Sequence, residues 1–397
     1  MKSLAYHVKL RDGLRSDPPI EGDRRAILMS AWKRFRDASW SIPEDFMDFS
    51  HYSRVVRGLD WTSSPGYPYM RSYPTNRDMF KPDAEGKVDP VMEETVWQMV
   101  QQRLRDRDSD PIRLFIKPEP HKKKKLESHR YRLISAVSVV DQIIDAMLFG
   151  PMNEQLTRVW PYVPSKSGWS PARGGYRIVP LRGWMATDKS GWDWSAQPWL
   201  MEMTRDLREM LCRNLDEHPL WSELSKWRYA QLYAFPVFIN SYGWLMMQRK
   251  PGVQKSGCFN TLSDNCIQQV LLHLRVSREM RQPAGGMMCM GDDVYQETPP
   301  NKTAYLERLG QYCHVKDAAE VPEFAGYRFM DGRIEPLYKG KHAFVLLHLD
   351  ERYAQETLDS YSLMYHMSSS RNFLRRLIRQ MGYEARPLAW ADAIMHG

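Results

Sequence analysis

The chain has 397 residues, 43% of them hydrophobic, which is enough for two or three subdomains around a substantial core and argues against disorder. Lys and Arg number 56 against 48 Asp and Glu, and the resulting charge of +8 favours a polyanionic partner over an acidic protein. The five cysteines are odd in number and form no Cys-x-x-Cys pair, which argues against a disulfide framework or zinc knuckle and for a reducing compartment.

The first 60 residues contain apolar positions at helical spacing, for example in 24–37. A turn-rich loop rich in Ser, Pro and Gly follows over 61–70. This loop either connects two helices or guides a nucleic-acid strand with its amides, hydroxyls and aromatic rings. Asp89 and Pro90 then predict the N-cap and the first residue of a helix.

The most basic part of the chain, 113–132, lies between two β-prone runs, 112–117 and 131–137. It contains eight Lys or Arg against two Glu. A run of lysines is usually a solvated face, but between two strands it can also form a cationic lining over a phosphate-handling site. The residues alone leave both interpretations open.

A short apolar strand ends at Asp188, and Asp193 follows five residues later. In a straight strand this odd spacing puts the two carboxylates on opposite faces. Gly191 permits a bend that brings Asp193 back over the same pocket. Alternatively, Asp193 caps the amphipathic helix that we predict over 195–215.

The glycine-bounded loop 252–257 leads into a helix predicted over 258–280. Thr261 and Asn265 are four residues apart and therefore share one face of this helix. A threonine at a helix start is more often a cap than a catalytic group. Asn265 is less easily explained in that way, because its amide supplies both the donor and the acceptor that recognition of a sugar hydroxyl needs.

Two short β-prone runs meet at Gly291-Asp292-Asp293, which predicts a hairpin tip. Adjacent carboxylates on a tight turn repel each other, and a divalent metal ion is the most direct compensation. Taken alone, the same turn fits a solvent-exposed hairpin loop.

The chain after this turn predicts a helix over 303–309 and a hairpin-like segment over 324–329. The tail then contains one strand-like stretch at most, 337–349, and two helices. The second of these helices carries four arginines, Arg371, Arg375, Arg376 and Arg379.

In this order the segments resemble the palm of viral RNA-dependent RNA polymerases of the picorna-like supergroup, and they are most similar to sobemovirus and polerovirus replicases. The resemblance covers 61–335 and includes a template-entry motif, a basic fingers motif, three palm motifs, a lysine after the metal hairpin and a primer-grip turn. The template-entry motif is matched by Thr62 to Pro68, and the basic fingers motif by Lys117 to His121 with Arg130 to Ile134. The three palm motifs are matched by Asp188-x4-Asp193, Gly252-x3-Ser256-Gly257-x3-Thr261-x3-Asn265 and Gly291-Asp292-Asp293. The lysine after the metal hairpin is matched by Lys316, and the primer-grip turn by Phe324 to Phe329.

The resemblance implies an α+β fold of the right-hand polymerase type, with fingers, palm and thumb and an antiparallel palm sheet flanked by helices. The implied boundaries are fingers with an N-terminal extension over 1–182, palm over 183–215, a fingers insertion over 216–250, palm over 251–335 and a small thumb over 336–397. The short tail departs from a typical member. It predicts an open front channel that accepts a pre-formed duplex or a protein-linked primer.

The resemblance also implies template-directed addition of ribonucleotides to an RNA 3′ end in viral genome replication, by a two-metal mechanism. Two Mg²⁺ or Mn²⁺ ions are expected at Asp188, Asp292 and Asp293, and Lys316 is expected to protonate the leaving pyrophosphate. The nucleotide-binding residues that it implies are Lys117, Arg130, Arg132, Asp193, Ser256, Gly257, Thr261 and Asn265. The RNA-binding residues that we expect are Ser64, Gly66, Tyr67, Lys122, Lys123, Lys124, Lys125, Arg371 and Arg375.

The expected partners are template and nascent RNA, ribonucleoside triphosphates, a genome-linked protein primer and other viral replication proteins. We expect a viral replication complex in the host cell cytoplasm, with any membrane association made through partners. The N-terminus has no stretch typical of a signal peptide, and the longest apolar runs, such as 343–347, are too short to span a bilayer, so the sequence predicts a soluble chain.

Two other functions account for part of the same pattern. A reverse transcriptase needs a bulky residue that guards against the 2′-hydroxyl, where this chain has the polar Asp193 and Asn265. A non-catalytic RNA-binding protein accounts for the charge and the aromatic residues but not for the dispersed acidic residues.

Overall fold

A computed structural model describes residues 1–397 as a mixed α+β protein. None of its helices combines the length and the apolar character needed to cross a bilayer. The helices of the first half are α1 Lys2–Asp12, α2 Glu21–Phe35, α3 Phe49–Arg57, α4 Asn76–Phe80, α5 Pro90–Asp106, α6 Lys123–Glu127, α7 Val139–Arg158, α8 Trp192–Ser195 and α9 Pro198–Leu211. The later helices are α10 Pro219–Tyr233, α11 Thr261–Glu279, α12 Lys302–Leu309, α13 Lys339–Leu347, α14 Ala354–Met364, α15 Arg371–Gln380 and α16 Leu388–His396.

The strands form three sheets, and the central one is antiparallel throughout, in the order β6-β7-β3-β8. A second sheet, in the order β2-β1-β4-β5, is mixed because β1 and β4 run parallel, and a third has the order β11-β10-β9. The strands are β1 Ile112–Ile116, β2 Leu133–Ala136, β3 Trp184–Lys189, β4 Val237–Asn240, β5 Leu245–Met247, β6 Met287–Met290, β7 Asp293–Glu297, β8 Val315–Ala319, β9 Glu323–Phe324, β10 Tyr327–Met330 and β11 Arg333–Pro336. The antiparallel sheet flanked by helices agrees with the predicted fold class.

The main hydrophobic core contains 63 buried residues and joins the N-terminal helices to the central sheet. Helix α11 lies at its centre, with fifteen consecutive residues, 263–277, buried. Because this helix is surrounded by protein on all sides, its position is fixed by packing and not by one amphipathic face. The C-terminal helices α14 and α15 pack around a small core of their own, made by Leu358, Tyr365, Leu374 and Ile378.

Several predicted elements are confirmed by the structure. Asp89 caps α5, where its Oδ1 accepts the Met92 N–H at 2.9 Å, and Pro90 is the first helical residue. The hairpin predicted over 324–329 is present as β9 and β10, with Ala325 and Gly326 both at positive φ in the turn between them. The helix predicted over 303–309 is α12.

Other predictions were wrong. The strand-like stretch 337–349 is helix α13, and the tail contains four helices instead of two. None of the α13 residues is buried, so its apolar residues reflect neither a strand nor a core helix in this structure. The helix predicted over 195–215 is shorter, because Pro198 starts α9 after the separate turn of α8.

Candidate active site

The acidic turn joins β6 to β7 with two residues, since Met290 pairs with Asp293 and only Gly291 and Asp292 lie between them. Gly291 is at φ +66°, and glycine is the residue that a two-residue hairpin turn needs when its first central position has positive φ. The predicted hairpin tip is therefore confirmed. Asp292 is exposed at the tip, whereas Asp293 is half-buried at the start of β7.

Asp188 lies at the same edge of the sheet as this turn. Strand β3 pairs with β7 up to Thr187 and Val294, so the next residues along the two strands are Asp188 and Asp293. Burial and then the neighbouring charge of Asp292 raise the pKa of Asp293 to about 6. The structure thus brings the three carboxylates predicted from the sequence to one edge of one sheet, where they repel each other.

Lys316 reaches this edge from the opposite side of β3. Strand β8 pairs with β3 through Asp317 opposite Asp188 and Val315 opposite Lys189, and this irregular register leaves Lys316 between the two pairs. The Lys316 ammonium makes an ion pair with the Asp188 carboxylate, and this hydrogen bond raises the pKa of Lys316. The sequence prediction that placed Lys316 near the carboxylates is consistent with this contact.

Asp193 and Asn265 meet beside the acidic edge. Gly191, at φ +58°, lets the chain bend after β3, and the Asn265 Nδ2 donates to Asp193 Oδ1 at 3.1 Å. The Oδ1 of Asn265 in turn accepts the indole N–H of Trp192 at 2.8 Å, which fixes the orientation of the amide. Asp193 caps no helix: Gly191 is the N-cap of α8, and α9 begins only at Pro198, so the alternative role for Asp193 was wrong.

Asp193 is also electrostatically coupled to the acidic turn. Burial, followed by the negative charge of Asp292, raises the pKa of Asp193 to about 6. Its carboxylate therefore belongs to the same acidic site, although it lies five positions after Asp188 in the sequence.

The loop before α11 is held by Thr261. The Thr261 hydroxyl lies 2.9 Å from the Lys255 carbonyl and 2.8 Å from the Cys258 carbonyl, and its oxygen accepts the Gly257 N–H at 3.3 Å. The carbonyl of Ser256 accepts the Ser135 N–H of β2 at 2.7 Å. A Cβ at Gly257 would lie 2.9 Å from the Ser135 carbonyl oxygen, so glycine is required for this close approach. The predicted ribose contacts of Ser256, Gly257 and Thr261 stay predictions.

The basic segment is organised by an acidic residue that the sequence analysis did not single out. Glu119 lies within ion-pair distance of Lys117, Arg132 and Lys341, at 3.7, 3.8 and 3.8 Å. Lys117 and Arg132 are thus brought together, and their predicted contact with the triphosphate stays a prediction. Arg130 lies apart from this group, with its guanidinium 5.4 Å from the ring centroid of Tyr6 in α1.

The four-lysine run forms most of the short helix α6, with Lys122 as its N-cap. Lys123 is almost fully exposed, with an Nζ–carboxylate distance of 4.0 Å to Glu127. Lys125 differs, because partial burial and then the positive charges of Arg132 and Lys341 lower its pKa. The charge of Lys125 is therefore coupled to Arg132 and Lys341.

The predicted RNA-binding residues outside the central site have mixed surroundings. Ser64 is exposed and Tyr67 half-buried, while Gly66, at φ +72°, packs so closely that a Cβ would lie 2.8 Å from the Val137 carbonyl oxygen. Arg371 is half-buried at the start of α15. Arg375 donates to the Arg386 carbonyl at 2.5 Å and so has a structural contact besides any RNA contact.

Lys189 is a buried cation that the sequence analysis missed. It is 7% exposed, its Nζ lies 3.5 Å from Thr187 Oγ1, and burial lowers its pKa. The buried positions of β3 are Met185, Thr187 and Lys189. The two-residue period of a strand could therefore have indicated that Lys189 is buried. A positive charge behind the carboxylate edge partly offsets the repulsion between the carboxylates.

The residues at this edge fit a divalent cation by the chemistry of their donors. Carboxylate oxygens are the ligands that magnesium and manganese ions prefer, and closely placed carboxylates need a compensating positive charge. The carboxylates are not gathered into a group of three around one point in this structure, and Asp188 is paired with Lys316. The fit therefore rests on the donor set and the shared edge.

Comparison with known proteins adds independent evidence. Residues 54–182 match the family model described as viral RNA-directed RNA-polymerase. The chain is 30% identical to Protein P1-P2 of Pea enation mosaic virus-1 over 83% of this chain, and 32% identical to Replicase polyprotein P2AB of Southern bean mosaic virus over 70% of this chain. Protein P1-P2 of Turnip yellows virus is 31% identical over 68% of this chain. The chain covers 28 to 30% of the length of these relatives, so it spans under a third of each.

Proposed function

Because this chain belongs to the family of viral RNA-directed RNA polymerases, we propose that it adds ribonucleotides to an RNA 3′ end under the direction of an RNA template. The observation that carries the proposal is the meeting of Asp188, Asp292 and Asp293 at one edge of the central sheet. A non-catalytic RNA-binding protein has no need for repelling carboxylates at a sheet edge. The proposal extends to a role in viral genome replication in the host cell.

Asp188 and Asp292, assisted by Asp293, would hold two Mg²⁺ or Mn²⁺ ions. When bound, such ions neutralise the charge of the transferring phosphate and favour ionisation of the attacking hydroxyl. The protein's own contribution is to hold Asp188 and Asp293 on adjacent strands and Asp292 in the turn beside them, so that their positions are set by backbone hydrogen bonds.

The basic group around Glu119 is proposed to bind the triphosphate. Lys117 and Arg132 are held near each other by Glu119, which keeps two cationic groups in place without burying them. Arg132 is 56% exposed at its side chain and is free to exchange Glu119 for a phosphate. Lys316, which pairs with Asp188, is proposed to give a proton to the leaving pyrophosphate.

The Asp193–Asn265 contact is proposed to recognise the ribose hydroxyls. The amide orientation of Asn265 is fixed by Trp192, so the pair presents a defined set of polar atoms next to the acidic edge. This polar pair favours a ribonucleotide over a deoxyribonucleotide and so favours an RNA polymerase over a reverse transcriptase.

A right-hand arrangement is the architecture that we propose for these parts. The sheet with β1 and β2 carries the basic segment, the central sheet carries the carboxylates, and the C-terminal helices have their own core, as fingers, palm and a small thumb would. RNA, nucleotides, a genome-linked protein primer and other replication proteins are the proposed partners.

The decisive test is a primer-extension assay on a synthetic RNA template, with ribonucleotides or deoxyribonucleotides and with or without Mg²⁺. We expect Mg²⁺-dependent extension that requires ribonucleotides. Extension with deoxyribonucleotides alone would point to a reverse transcriptase, and RNA binding without extension to a non-catalytic protein.

On the same template, extension of an annealed primer should be much faster than initiation without one. Equal rates would contradict the open front channel.

Replacing Asn265 by alanine is expected to weaken selection of ribonucleotides over deoxyribonucleotides. Loss of one polar contact to a hydroxyl costs about 1–3 kcal/mol of discrimination when the partner group stays buried. The ratio of incorporation efficiencies for the two nucleotide types measures this effect, and template affinity of the same variant serves as the control. An unchanged ratio would assign Asn265 a structural role.

Neutralising Lys122, Lys123, Lys124 and Lys125 together is expected to weaken RNA binding and flatten its salt dependence. Each lost phosphate contact removes about 0.7 to 0.9 from the slope of log affinity against log salt. Lys125 is coupled to Arg132 and Lys341, whereas Lys123 is almost fully exposed. We therefore expect Lys125→Ala to reproduce more of the effect than the matched Lys123→Ala. Wild-type affinity and slope in the fourfold variant would show that α6 is only a solvated helix.

A further inference from the structure

Two buried cysteine thiols connect the acidic turn to helix α11. Cys266 lies in α11 directly after Asn265, and Cys289 lies in β6 two residues before Gly291. Both side chains are 0% exposed, and neither is part of a disulfide. They therefore lie at the junction between the element that carries Asn265 and the element that carries Asp292.

The contacts between these two elements are reciprocal. Cys266 Sγ donates to the Cys289 carbonyl at 3.4 Å, and Cys289 Sγ donates to the Cys266 carbonyl at 3.4 Å. The loop before β3 joins the same junction, since the Lys166 N–H donates to the Cys289 carbonyl at 2.8 Å. Side-chain hydrogen bonds thus connect α11 to β6, two elements that share no backbone ladder.

The Cys266 sulfur also supports the turn itself. The Gly291 N–H donates to Cys266 Sγ at 3.2 Å. Gly291 is buried, and a buried backbone N–H without a partner is costly. Sulfur is a weak acceptor, but an aliphatic side chain has no acceptor at all. A hydrophobic residue at position 266 would therefore leave this N–H unpaired.

We propose that Cys266 and Cys289 form a thiol clasp that sets the position of Asp292 relative to Asn265. The two cysteines are positioning residues, because their thiols bond backbone groups of the two elements that carry Asn265 and Asp292. This inference rests on the proposed polymerase function, in which Asp292 acts at the phosphates and Asn265 at the ribose of the same nucleotide. The distance between these two side chains must therefore stay fixed. A displacement of about 1 Å between such groups can cost on the order of 100-fold in rate.

The clasp is tested by Cys266→Val, which replaces the acceptor with a slightly larger apolar side chain, and Cys266→Ser, which keeps an acceptor. We expect Cys266→Val to lower kcat for primer extension by about tenfold or more, with the KM for nucleotide and the affinity for RNA changed by less than about threefold. Cys266→Ser should recover most of the lost kcat. Cys313→Val is the control, because Cys313 is equally buried but its thiol donates only to the carbonyl of Leu309, four residues earlier at the end of α12.

A second measurement is independent of activity. Amide hydrogen exchange of the peptide that spans 287–296 should be faster in Cys266→Val than in wild type, and unchanged in Cys266→Ser and Cys313→Val. Unchanged exchange in Cys266→Val, or a kcat equal to wild type in an active enzyme, would overturn the clasp. Faster exchange in a protein whose wild type extends no primer would support the clasp and refute the proposed polymerase function instead.

Discussion

Replacing Asp292 by asparagine is expected to abolish nucleotide addition while leaving the fold and RNA binding intact. Asp292 is exposed at the tip of the β6–β7 turn, and its carboxylate forms no hydrogen bond or ion pair within the described chain, so the fold does not depend on it. Its charge is nevertheless felt by Asp293 and Asp193, whose pKa values it raises. Asparagine keeps the shape and removes this charge, which costs transition-state stabilisation of about 3–4 kcal/mol or more, a rate loss on the order of 100- to 1,000-fold or more.

The matched control for this variant is Asp331→Asn. Asp331 is also an exposed acid in a two-residue hairpin turn, between Met330 of β10 and Arg333 of β11. We expect Asp331→Asn to extend a primer at the wild-type rate. Near-normal extension by Asp292→Asn would contradict the assignment of Asp292 to the metal site.

Local sequence patterns predicted the acidic site well because each part depends on neighbouring residues. A glycine before an acid predicted the turn at Gly291, and the strand end at Asp188 followed from an apolar run. Gly191 predicted the bend that returns Asp193 to the site. The same local reasoning failed for 337–349, where the polar run 339–342 precedes an unbroken apolar run, 343–347, and the chain forms an exposed helix.

The supporting contacts could not be predicted, because they join residues far apart in the chain. Glu119 meets Lys341 across more than 200 residues, and nothing near Glu119 marks it as the centre of a basic group. Cys266 and Cys289 look like ordinary core residues until their contacts are seen. The sequence identifies groups that carry chemistry, whereas the residues that hold them in place emerge only from the fold.

A fully buried polar network holds α11 beside the proposed ribose contact. Arg208 of α9 and Asp264 of α11 form an ion pair at 2.7 Å, with both side chains 0% exposed. Tyr229 and Tyr233 of α10 donate their hydroxyls to the Asp264 carboxylate at 3.0 and 3.2 Å. Asp264 directly precedes Asn265, so this network joins three helices at the residue next to the proposed ribose contact.

Replacing Asp264 by asparagine is therefore expected to destabilise the protein by about 3–5 kcal/mol, because it leaves the Arg208 guanidinium buried without a countercharge. Asparagine keeps the shape of the side chain but turns one of its two acceptor oxygens into a donor, so the loss combines the missing charge with a changed hydrogen bond to Tyr229 or Tyr233. Urea unfolding should show a lower midpoint, and adding Arg208→Met should recover part of the loss by removing the unpaired charge. Glu320→Gln, which breaks the more exposed pair with Lys302, should change the midpoint little. A wild-type midpoint for Asp264→Asn would mean that water or a rearranged side chain compensates Arg208, and the helix carrying Asn265 would then be held by packing alone.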